Sequence, residues 1–205
     1  MAQMIKRPVN RARDPFGGGI PMALAAIAVT LLGFWRTFFS QLGNVDAAHM
    51  LHGALATGWL VLVLVQASLI GSRKFKWHRV LGWTSVPVFV LLVVTSCYML
   101  VLMLSATGGM PIPFEMAKIF GYSDVTALPL LIIVYTGAIL LRKDRHVHSR
   151  LISITLLAGL LPALARAFFG ILVVMGMAGA VGMEEVTAGL TLAMHPTYIS
   201  VLLVL

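Results

Sequence analysis

Long apolar runs separated by short polar segments make up most of the chain. An α-helix needs about 20 apolar residues to cross a bilayer core about 30 Å thick. The pattern therefore predicts an all-α fold, a polytopic transmembrane helical bundle of about six helices. We place the helices at residues 20–39, 47–71, 80–104, 123–141, 151–177 and 189–205. They form a single transmembrane domain, residues 20–205, after a basic segment at residues 1–19.

The ends and connections of these runs give three further expectations. Only one connection is predicted to be long, from about Ser105 to Ser123. The apolar run that begins at Ile20 is longer than the core of a signal peptide, about 7 to 15 residues, so we expect it to be retained as an anchor. The last run stops at Leu205 without a polar tail, and we expect the native chain to continue beyond it.

Composition supports a membrane protein. The chain is 60% hydrophobic and 11% charged, whereas about a quarter of the residues in a soluble domain are charged. A net charge of +8 would suggest a nucleic-acid partner in a soluble protein. Here the basic residues are sorted by loop, which indicates membrane topology instead, so no nucleic-acid partner is expected.

Basic and acidic residues fall on opposite sides of the predicted bundle. Twelve basic residues precede helix 1 or lie in the loops before helices 3 and 5: Lys6, Arg7, Arg11, Arg13, Arg73, Lys74, Lys76, Arg79, Arg142, Lys143, Arg145 and Arg150. The opposite loops carry Asp46, Glu115, Asp124, Glu184 and Glu185, with Lys118 as the one basic residue. Because cytoplasmic loops are enriched in Lys and Arg, both termini are predicted to be cytoplasmic, in a multi-pass protein of the bacterial inner membrane.

The sequence contains no motif for hydrolysis, phosphate binding or covalent haem attachment. It has no Gly-x-Ser-x-Gly, no P-loop and no His-Glu-x-x-His. The single cysteine, Cys97, excludes a disulfide framework. Any chemistry is therefore expected from histidines and from the few charged residues within the helices.

The six histidines lie near the ends of the predicted helices, His78, His146 and His148 on the basic side and His49, His52 and His195 on the other. His52, Trp59 and Gln66 are spaced by seven, so they form one stripe on helix 2. A polar stripe on a membrane helix faces the bundle, because an unpaired polar group in hydrocarbon is costly. We interpret His52 as a candidate metal or haem ligand or proton-active group, or else as a solvated interfacial residue. His49 is interpreted as interfacial.

Arg166 is the most deeply placed charged residue of the predicted helices. It lies sixteen positions into helix 5, about 24 Å along the helix. A charge at that depth costs about 2.5 kcal/mol or more, so it needs an acidic partner, a bound anion or a wet cavity. Asp46, Asp124, His52 and His195 are predicted in the same leaflet. A polar site there would suit a haem propionate or a substrate carboxylate.

The two basic loops resemble each other. One reads Arg73-Lys74 and then His78-Arg79, and the other reads Arg142-Lys143 and then His148-Ser149-Arg150. If helices 2 and 3 are a structural copy of helices 4 and 5, an axis along the membrane normal would bring His78 and His148 together. As a pair they could ligate one haem iron or another metal. Two independent solutions to the positive-inside rule would give similar loops, with both histidines merely interfacial.

A longer pattern joins these residues: Gly33-Phe34-x-Arg36-Thr37-Phe38-Phe39, His52-Gly53, Trp59, Gln66, His78-Arg79-x-Leu81-Gly82, His148-x-Arg150 and Arg166. It resembles a broad group of uncharacterised bacterial multi-pass membrane proteins over most of helices 1 to 5. The chain departs from that group at Phe38-Phe39, where an aromatic pair containing tyrosine is expected. The resemblance implies no particular activity, but it singles out His52, His78, His148 and Arg166.

The chain also resembles, more loosely, the cytochrome b561-type bundles, in which histidines on neighbouring helices hold haem near each membrane face. This resemblance implies an outer site at His52 and His195 and an inner site at His78 and His148. It is an analogy between folds.

The first functional hypothesis is a redox protein that binds b-type haem and moves electrons between a quinone or outer donor and a partner. The cofactor ligands are expected among His52, His78, His148 and His195, with Arg166 neutralising a propionate. If the cofactor is a transition-metal ion instead, its candidate ligands are His52, His78 and His148. The alternatives are an accessory or assembly subunit of a larger membrane complex and a small transporter of an anionic solute bound near Arg166.

Overall fold

The apolar runs form five α-helices in the computed structural model, which describes residues 19–105 and 114–175. The helices are α1 (Gly19–Phe34), α2 (Ala47–Gly71), α3 (Phe75–Ser105), α4 (Phe114–Leu140) and α5 (Arg145–Val174), with a short 3-10 turn at Phe39–Gln41. These described residues contain no strand, which confirms an all-helical bundle for this part of the chain. The predicted sixth helix, residues 189–205, and both termini lie outside it.

Three of the helices are long and apolar enough to cross a membrane: Ala47–Gly71, Phe75–Met103 and Arg145–Ile171. Two shorter apolar helices, Gly19–Phe34 and Asp124–Leu140, accompany them. Many side chains on the outside of the bundle are large and apolar, and Leu32 and Leu140 are 73% and 72% exposed. Such a surface suits lipid, so the chain is a membrane protein.

Several predicted boundaries differ from those of the structure. The apolar pattern predicts helix 1 as far as residue 39, but α1 ends at Phe34 and the chain turns. The pattern also predicts a loop from Ser105 to Ser123, but α4 already begins at Phe114. Hydropathy marks the apolar part of the chain, whereas a helix ends where its backbone geometry changes.

α3 and α5 begin at Phe75 and Arg145, five and six residues before the positions that the apolar pattern predicts. Asp144 caps α5, because its Oδ1 accepts hydrogen bonds from the backbone N–H groups of His146 (2.9 Å) and Val147 (3.2 Å). These hydrogen bonds, the one from Val147 above all, hold the pKa of Asp144 below its ordinary value. A cap and helix-forming basic residues thus extend α5 beyond its apolar run.

α2 ends in a Schellman turn that leads directly into α3. The N–H of Lys74 donates to the carbonyl of Leu69 (2.8 Å), and the N–H of Arg73 donates to that of Ile70 (3.0 Å). Arg73 has a φ of 57°, the left-handed conformation that this motif requires after the helix cap. A residue other than glycine is strained there by roughly 1–2 kcal/mol. The tight turn fixes where α3 begins, and hence the position of His78.

The helices pack in chain order around a ring. Each of α2, α3 and α4 contacts the helix before it and the helix after it, and α1 contacts α5 and so closes the ring. All five helices contribute buried side chains to the interior, among them Ala26, Trp59, Phe89, Tyr135 and Leu156. Residues inside the ring can therefore meet across it.

α1 and α5 approach each other most closely at Gly33. A Cβ on this glycine would lie only 2.3 Å from the carbonyl oxygen of Ala163. Small residues allow membrane helices to come this close. Gly58 on α2 makes no such contact, because no described atom of another element lies within 4 Å of a Cβ position there.

Candidate functional site

Polar side chains gather at both ends of the ring. We call the end with the turns at residues 72–74 and 141–144 the basic end, and the end where α2 begins and α5 finishes the Arg166 end. His78 and His148 lie at the basic end, whereas His52 and Arg166 lie towards the other. The two groups can therefore be compared as separate sites.

His78 and His148 face each other at the basic end. Each is the fourth residue of its helix, α3 or α5. Their ring centroids are 6.3 Å apart and their planes are nearly perpendicular, at 84°. Because α4 stands between α3 and α5 in the ring, the imidazoles meet across the interior. The structure thus brings together two of the histidines that the sequence singles out.

A backbone hydrogen bond orients the His148 ring. Its Nδ1 lies 2.8 Å from the carbonyl oxygen of Ala138. A carbonyl only accepts, so Nδ1 carries the proton and Nε2 of the neutral ring keeps its lone pair. Histidines that bind metals are usually held in this way by their second nitrogen. His148 is therefore oriented as a ligand would be.

His78 has a buried ring nitrogen that makes no geometrically complete hydrogen bond to the described residues, although the backbone of Gln66 lies close to the ring. This atom is Nδ1, and the side-chain oxygen of Gln66 and the indole nitrogen of Trp59 share the same property. The Gln66 amide nitrogen lies 3.6 Å from a Cβ position at Gly82, one helical turn after His78. Buried polar atoms are nearly always bonded to protein, water or ligand, so these three atoms are candidates for hydrogen bonds to groups outside the described residues.

Trp59, Phe89 and Tyr135 form an aromatic cluster inside the ring of helices, next to these polar atoms. The Phe89 and Tyr135 rings are stacked with centroids 3.9 Å apart, and both contact Trp59 at 5.2–5.3 Å. All three side chains are buried. Because their helices are α2, α3 and α4, the cluster joins three neighbours of the ring.

Tyr135 is hydrogen-bonded to Ser85 within this cluster, at 2.8 Å. The Ser85 hydroxyl lies 2.6 Å from the carbonyl of Gly82, to which it donates its one proton. The Tyr135 hydroxyl is therefore the donor to Ser85, and its own oxygen can still accept. Tyr135 was not among the residues that the sequence predicted to be functional. Its spacing of eleven residues, or three helical turns, from Asp124 was the available signal, because it places both on one face of α4.

His52 is held towards the Arg166 end by Thr95. The Thr95 hydroxyl lies 3.0 Å from the carbonyls of both Leu91 and Leu92, so its proton is engaged there. Nδ1 of His52 therefore donates to Thr95 Oγ1, at 3.2 Å, and Nε2 keeps its lone pair. Arg166 is close enough to act on the His52 ring electrostatically.

His52 does not join the histidine pair. Its partner Thr95 lies seventeen residues after His78 on α3, about 25 Å along the helix. Within residues 19–105 and 114–175, no group of three or more His, Cys, Asp or Glu side chains is arranged to hold a metal ion. The predicted ligands His52, His78 and His148 thus do not form one three-ligand site. The two-histidine arrangement at the basic end is the one that the structure presents.

Arg166 is surrounded by partners within the bundle. Its guanidinium lies 3.7 Å from a carboxylate oxygen of Asp124, donates to the carbonyl of Pro162 at 3.0 Å and stacks over the Phe34 ring at 4.8 Å. The side chains of Arg166 and Asp124 are only 19% and 25% exposed. The sequence required an acidic partner, an anion or a wet cavity for this residue, and the structure supplies the acidic partner.

Asp46 does not contribute to that charge pair, contrary to the expected polar cluster. Its Oδ1 accepts from the backbone N–H groups of Ala48 and His49 and so caps α2. Its Oδ2 lies 2.5 Å from the His49 ring nitrogen. These contacts, the backbone hydrogen bond from His49 above all, lower the pKa of Asp46. His49 is exposed, as expected of an interfacial residue, and His195 lies outside the described residues.

The residues of the longer sequence pattern contact one another across helices. Phe34 meets Arg166, the ring of Phe38 covers Gly53, and the Gln66 side chain lies beside Gly82. Each contact joins two segments of the pattern, so segments that are separate in the sequence lie together in the fold. Comparisons of this chain with protein-family models, with curated proteins and with solved structures give no match.

Proposed function

We propose that the protein is a redox protein of the bacterial inner membrane in which His78 and His148 ligate a haem iron or another metal. The observation that carries this proposal is the 6.3 Å separation of the two imidazole rings. Metal–imidazole bonds are about 2.0–2.1 Å long. Two rings on opposite sides of one metal therefore have their centres about 6 Å apart, which agrees with the observed spacing.

A b-type haem is the proposed cofactor, and a transition-metal ion is the alternative. Held by His78 and His148, such a haem would supply one-electron transfer. His148 contributes Nε2, because its Nδ1–H is fixed on the Ala138 carbonyl. His78 would supply the second ligand through its buried Nδ1, which makes no complete hydrogen bond to the described residues. A membrane quinone or another membrane subunit is the proposed electron partner.

We infer from the positive-inside rule that the chain is multi-pass and that the basic end faces the cytoplasm, as do both termini. Arg79 and Arg150, beside the two histidines in sequence, supply positive charge for acidic groups of the cofactor. Arg166 does not take that role for a site at the basic end. It lies eighteen residues from His148 on α5, about 27 Å away.

The experiment is an oxidised-minus-reduced visible spectrum of protein purified in mild detergent, with metal analysis of the same sample. We expect the bands of a six-coordinate b-type haem, and their loss in His148→Ala. His146→Ala is the matched control, because His146 is an exposed histidine two residues away on the same helix. Cofactor retained in both His78→Ala and His148→Ala would overturn the ligand assignment.

The alternative functions rest on weaker support. An anion transporter was suggested by Arg166, but Asp124 and Phe34 already engage its charge in the described structure. An accessory subunit has no specific contact in its favour. A flat spectrum without stoichiometric metal, together with a copurifying membrane protein, would support the accessory role over the redox one.

A further inference from the structure

A file of polar side chains runs through the ring from the basic end towards the middle of the bundle. It consists of His78, Gln66, Ser85, Tyr135 and Trp59, which we call the polar file. Gln66 lies beside Gly82, one turn beyond His78, and Ser85 follows on the same helix. Tyr135 binds Ser85 and contacts the Trp59 ring at 5.2 Å. The file therefore rises through several helical turns without leaving the interior.

The polar file is only partly connected by direct hydrogen bonds. Trp59 Nε1 is a donor without a described protein partner, and Gln66 Oε1 is an acceptor in the same state. His78 Nδ1 is a third such atom. Between them lies the Tyr135–Ser85 pair, whose phenol oxygen can accept. The file thus contains both an unpaired donor and an unpaired acceptor, and small molecules that both donate and accept would connect them.

The polar file is closed towards the Arg166 end by an apolar layer. Phe89 lies at the level of Trp59, and Leu92 occupies the next turn of α3, with 5% exposure for each. Leu160 and Ala163 of α5 are buried there as well, at 9% and 1%. None of these side chains offers a hydrogen bond, so the layer separates the file from His52. At the basic end, by contrast, the file begins between exposed basic turns.

We propose that the polar file holds a chain of bound water molecules that opens to the basic end alone. It acts as a half-channel through which protons exchange between the aqueous phase on that side and the middle of the bundle. Each water passes on one proton and accepts another, so its composition is unchanged after transfer, and it reorients before the next proton passes. Polar files inside membrane bundles commonly serve proton relays. If His78 Nδ1 binds a metal, the polar file begins at Gln66 instead, so the inference rests on Gln66, the Tyr135–Ser85 pair and Trp59.

The test is hydrogen–deuterium exchange of the Trp59 indole N–H, followed by nitrogen-15 NMR in detergent or nanodiscs. Of the four tryptophans, Trp35, Trp77 and Trp83 are more than half exposed, so Trp59 is the only buried one. Trp59→Phe identifies its signal. We expect Trp59 to exchange within minutes of transfer to D₂O despite its burial. Protection for days in the folded wild-type protein would overturn the proposal without any further variant.

Gln66→Leu tests the route of exchange, because it removes the polar link between the basic end and Tyr135 at nearly constant volume. We expect it to slow exchange at Trp59 by about tenfold or more, the effect of raising the local opening barrier. Ser68→Ala is the matched control, since the Ser68 hydroxyl only bonds to the Leu64 carbonyl of its own helix. Equal rates in the two variants would mean exchange through general opening and would overturn the half-channel.

Thr95→Val tests the direction of access. Thr95 lies beyond the apolar layer. We therefore expect loss of its hydroxyl group to leave the exchange rate of the Trp59 indole N–H unchanged. Slower exchange in Thr95→Val than in Gln66→Leu would mean that water enters from the Arg166 end. That outcome would contradict the proposed direction.

Discussion

Both ends of the ring of helices contain partly buried basic side chains, but the partners of those side chains differ. At the Arg166 end, the guanidinium meets a carboxylate, a carbonyl and an aromatic face. At the basic end, two imidazoles face each other across the interior while His78 Nδ1 and Gln66 Oε1 find no partner among the described residues. Among the described residues, the polar groups at the Arg166 end have hydrogen-bonding or charged partners, whereas those at the basic end do not all have them.

This difference distinguishes polar residues that stabilise the fold from polar residues that remain available to bind another group. A buried polar group that is fully paired holds helices together, and removing one member leaves the other uncompensated. A buried group that is left unpaired by the protein is destabilising unless something else satisfies it. Depth in the membrane alone, which made Arg166 prominent in the sequence, does not distinguish these two cases. The contacts around each group do.

Loss of the cofactor is the largest effect that we expect, and substitutions at the basic end should cause it. His148→Ala removes the oriented ligand, whereas His52→Ala removes a histidine about 25 Å away along the bundle. We expect the haem or metal content to fall more than about tenfold in the first variant and to stay unchanged in the second. Content and spectra of both variants, purified in parallel, provide the measurement. A matching loss in His52→Ala would mean that a second site exists at the Arg166 end.

Arg166→Leu should have the opposite effect to His148→Ala: the protein should lose much of its stability but keep its cofactor. We expect a loss of about 2–3 kcal/mol, below the value for a fully buried pair because both side chains keep some exposure. Thermal unfolding in detergent measures it, with Arg36→Leu as the exposed control. The double variant Arg166→Leu with Asp124→Leu should recover part of the loss. Equal effects of Arg36→Leu and Arg166→Leu would contradict the pairing.

Gly33→Ala should weaken the contact between α1 and α5 near the Arg166 end. The added methyl group would collide with the Ala163 carbonyl, a backbone atom that cannot move independently. We expect a destabilisation of about 1–3 kcal/mol in thermal unfolding. Gly58→Ala is the control, since its Cβ would have open space and alanine favours the helix. A stable Gly33→Ala protein would show that the helices are further apart.

The smallest effect concerns the caps Asp144 and Asp46, one at each end. Both have a pKa below the ordinary 3.8, so each contributes stability above about pH 4. That contribution is lost as the pH falls through the lowered pKa. Asp144→Asn and Asp46→Asn should therefore show less change in melting temperature between pH 5 and pH 3 than the wild-type protein. An identical pH dependence would exclude the caps as its source.

The sequence predicted the helices well where the apolar runs are long and bounded by polar turns. The predicted helix at residues 47–71 matches α2 at both ends. The periodicity also placed Trp59 and Gln66 on one interior stripe of α2. It could not locate the end of α1, because Trp35 and Phe38 are apolar yet lie in turns. Side-chain hydropathy does not report the backbone angle at which a helix stops.

The candidate site was predictable in part. One of the two interpretations of the similar basic loops placed His78 and His148 near each other, and their rings do face each other in the structure. The hydrogen bonds that orient the site were not predictable, because the Ala138 carbonyl and Tyr135 belong to a helix whose rotation a single sequence does not determine. The choice of Asp124 rather than Asp46 as the partner of Arg166 likewise depends on which helices are neighbours.

Closure of the ring has a consequence for how the protein is made. Gly33 and Ala163 meet across the seam between α1 and α5, yet they lie about 130 positions apart in the chain. Helices enter a membrane in the order of synthesis, so the seam cannot form until α5 has emerged. Until then, the polar interior faces lipid or a helper protein along one open side. Insertion of α5, the last described helix, is thus the step that closes the ring. A delay in that insertion would leave the nascent chain exposed to degradation.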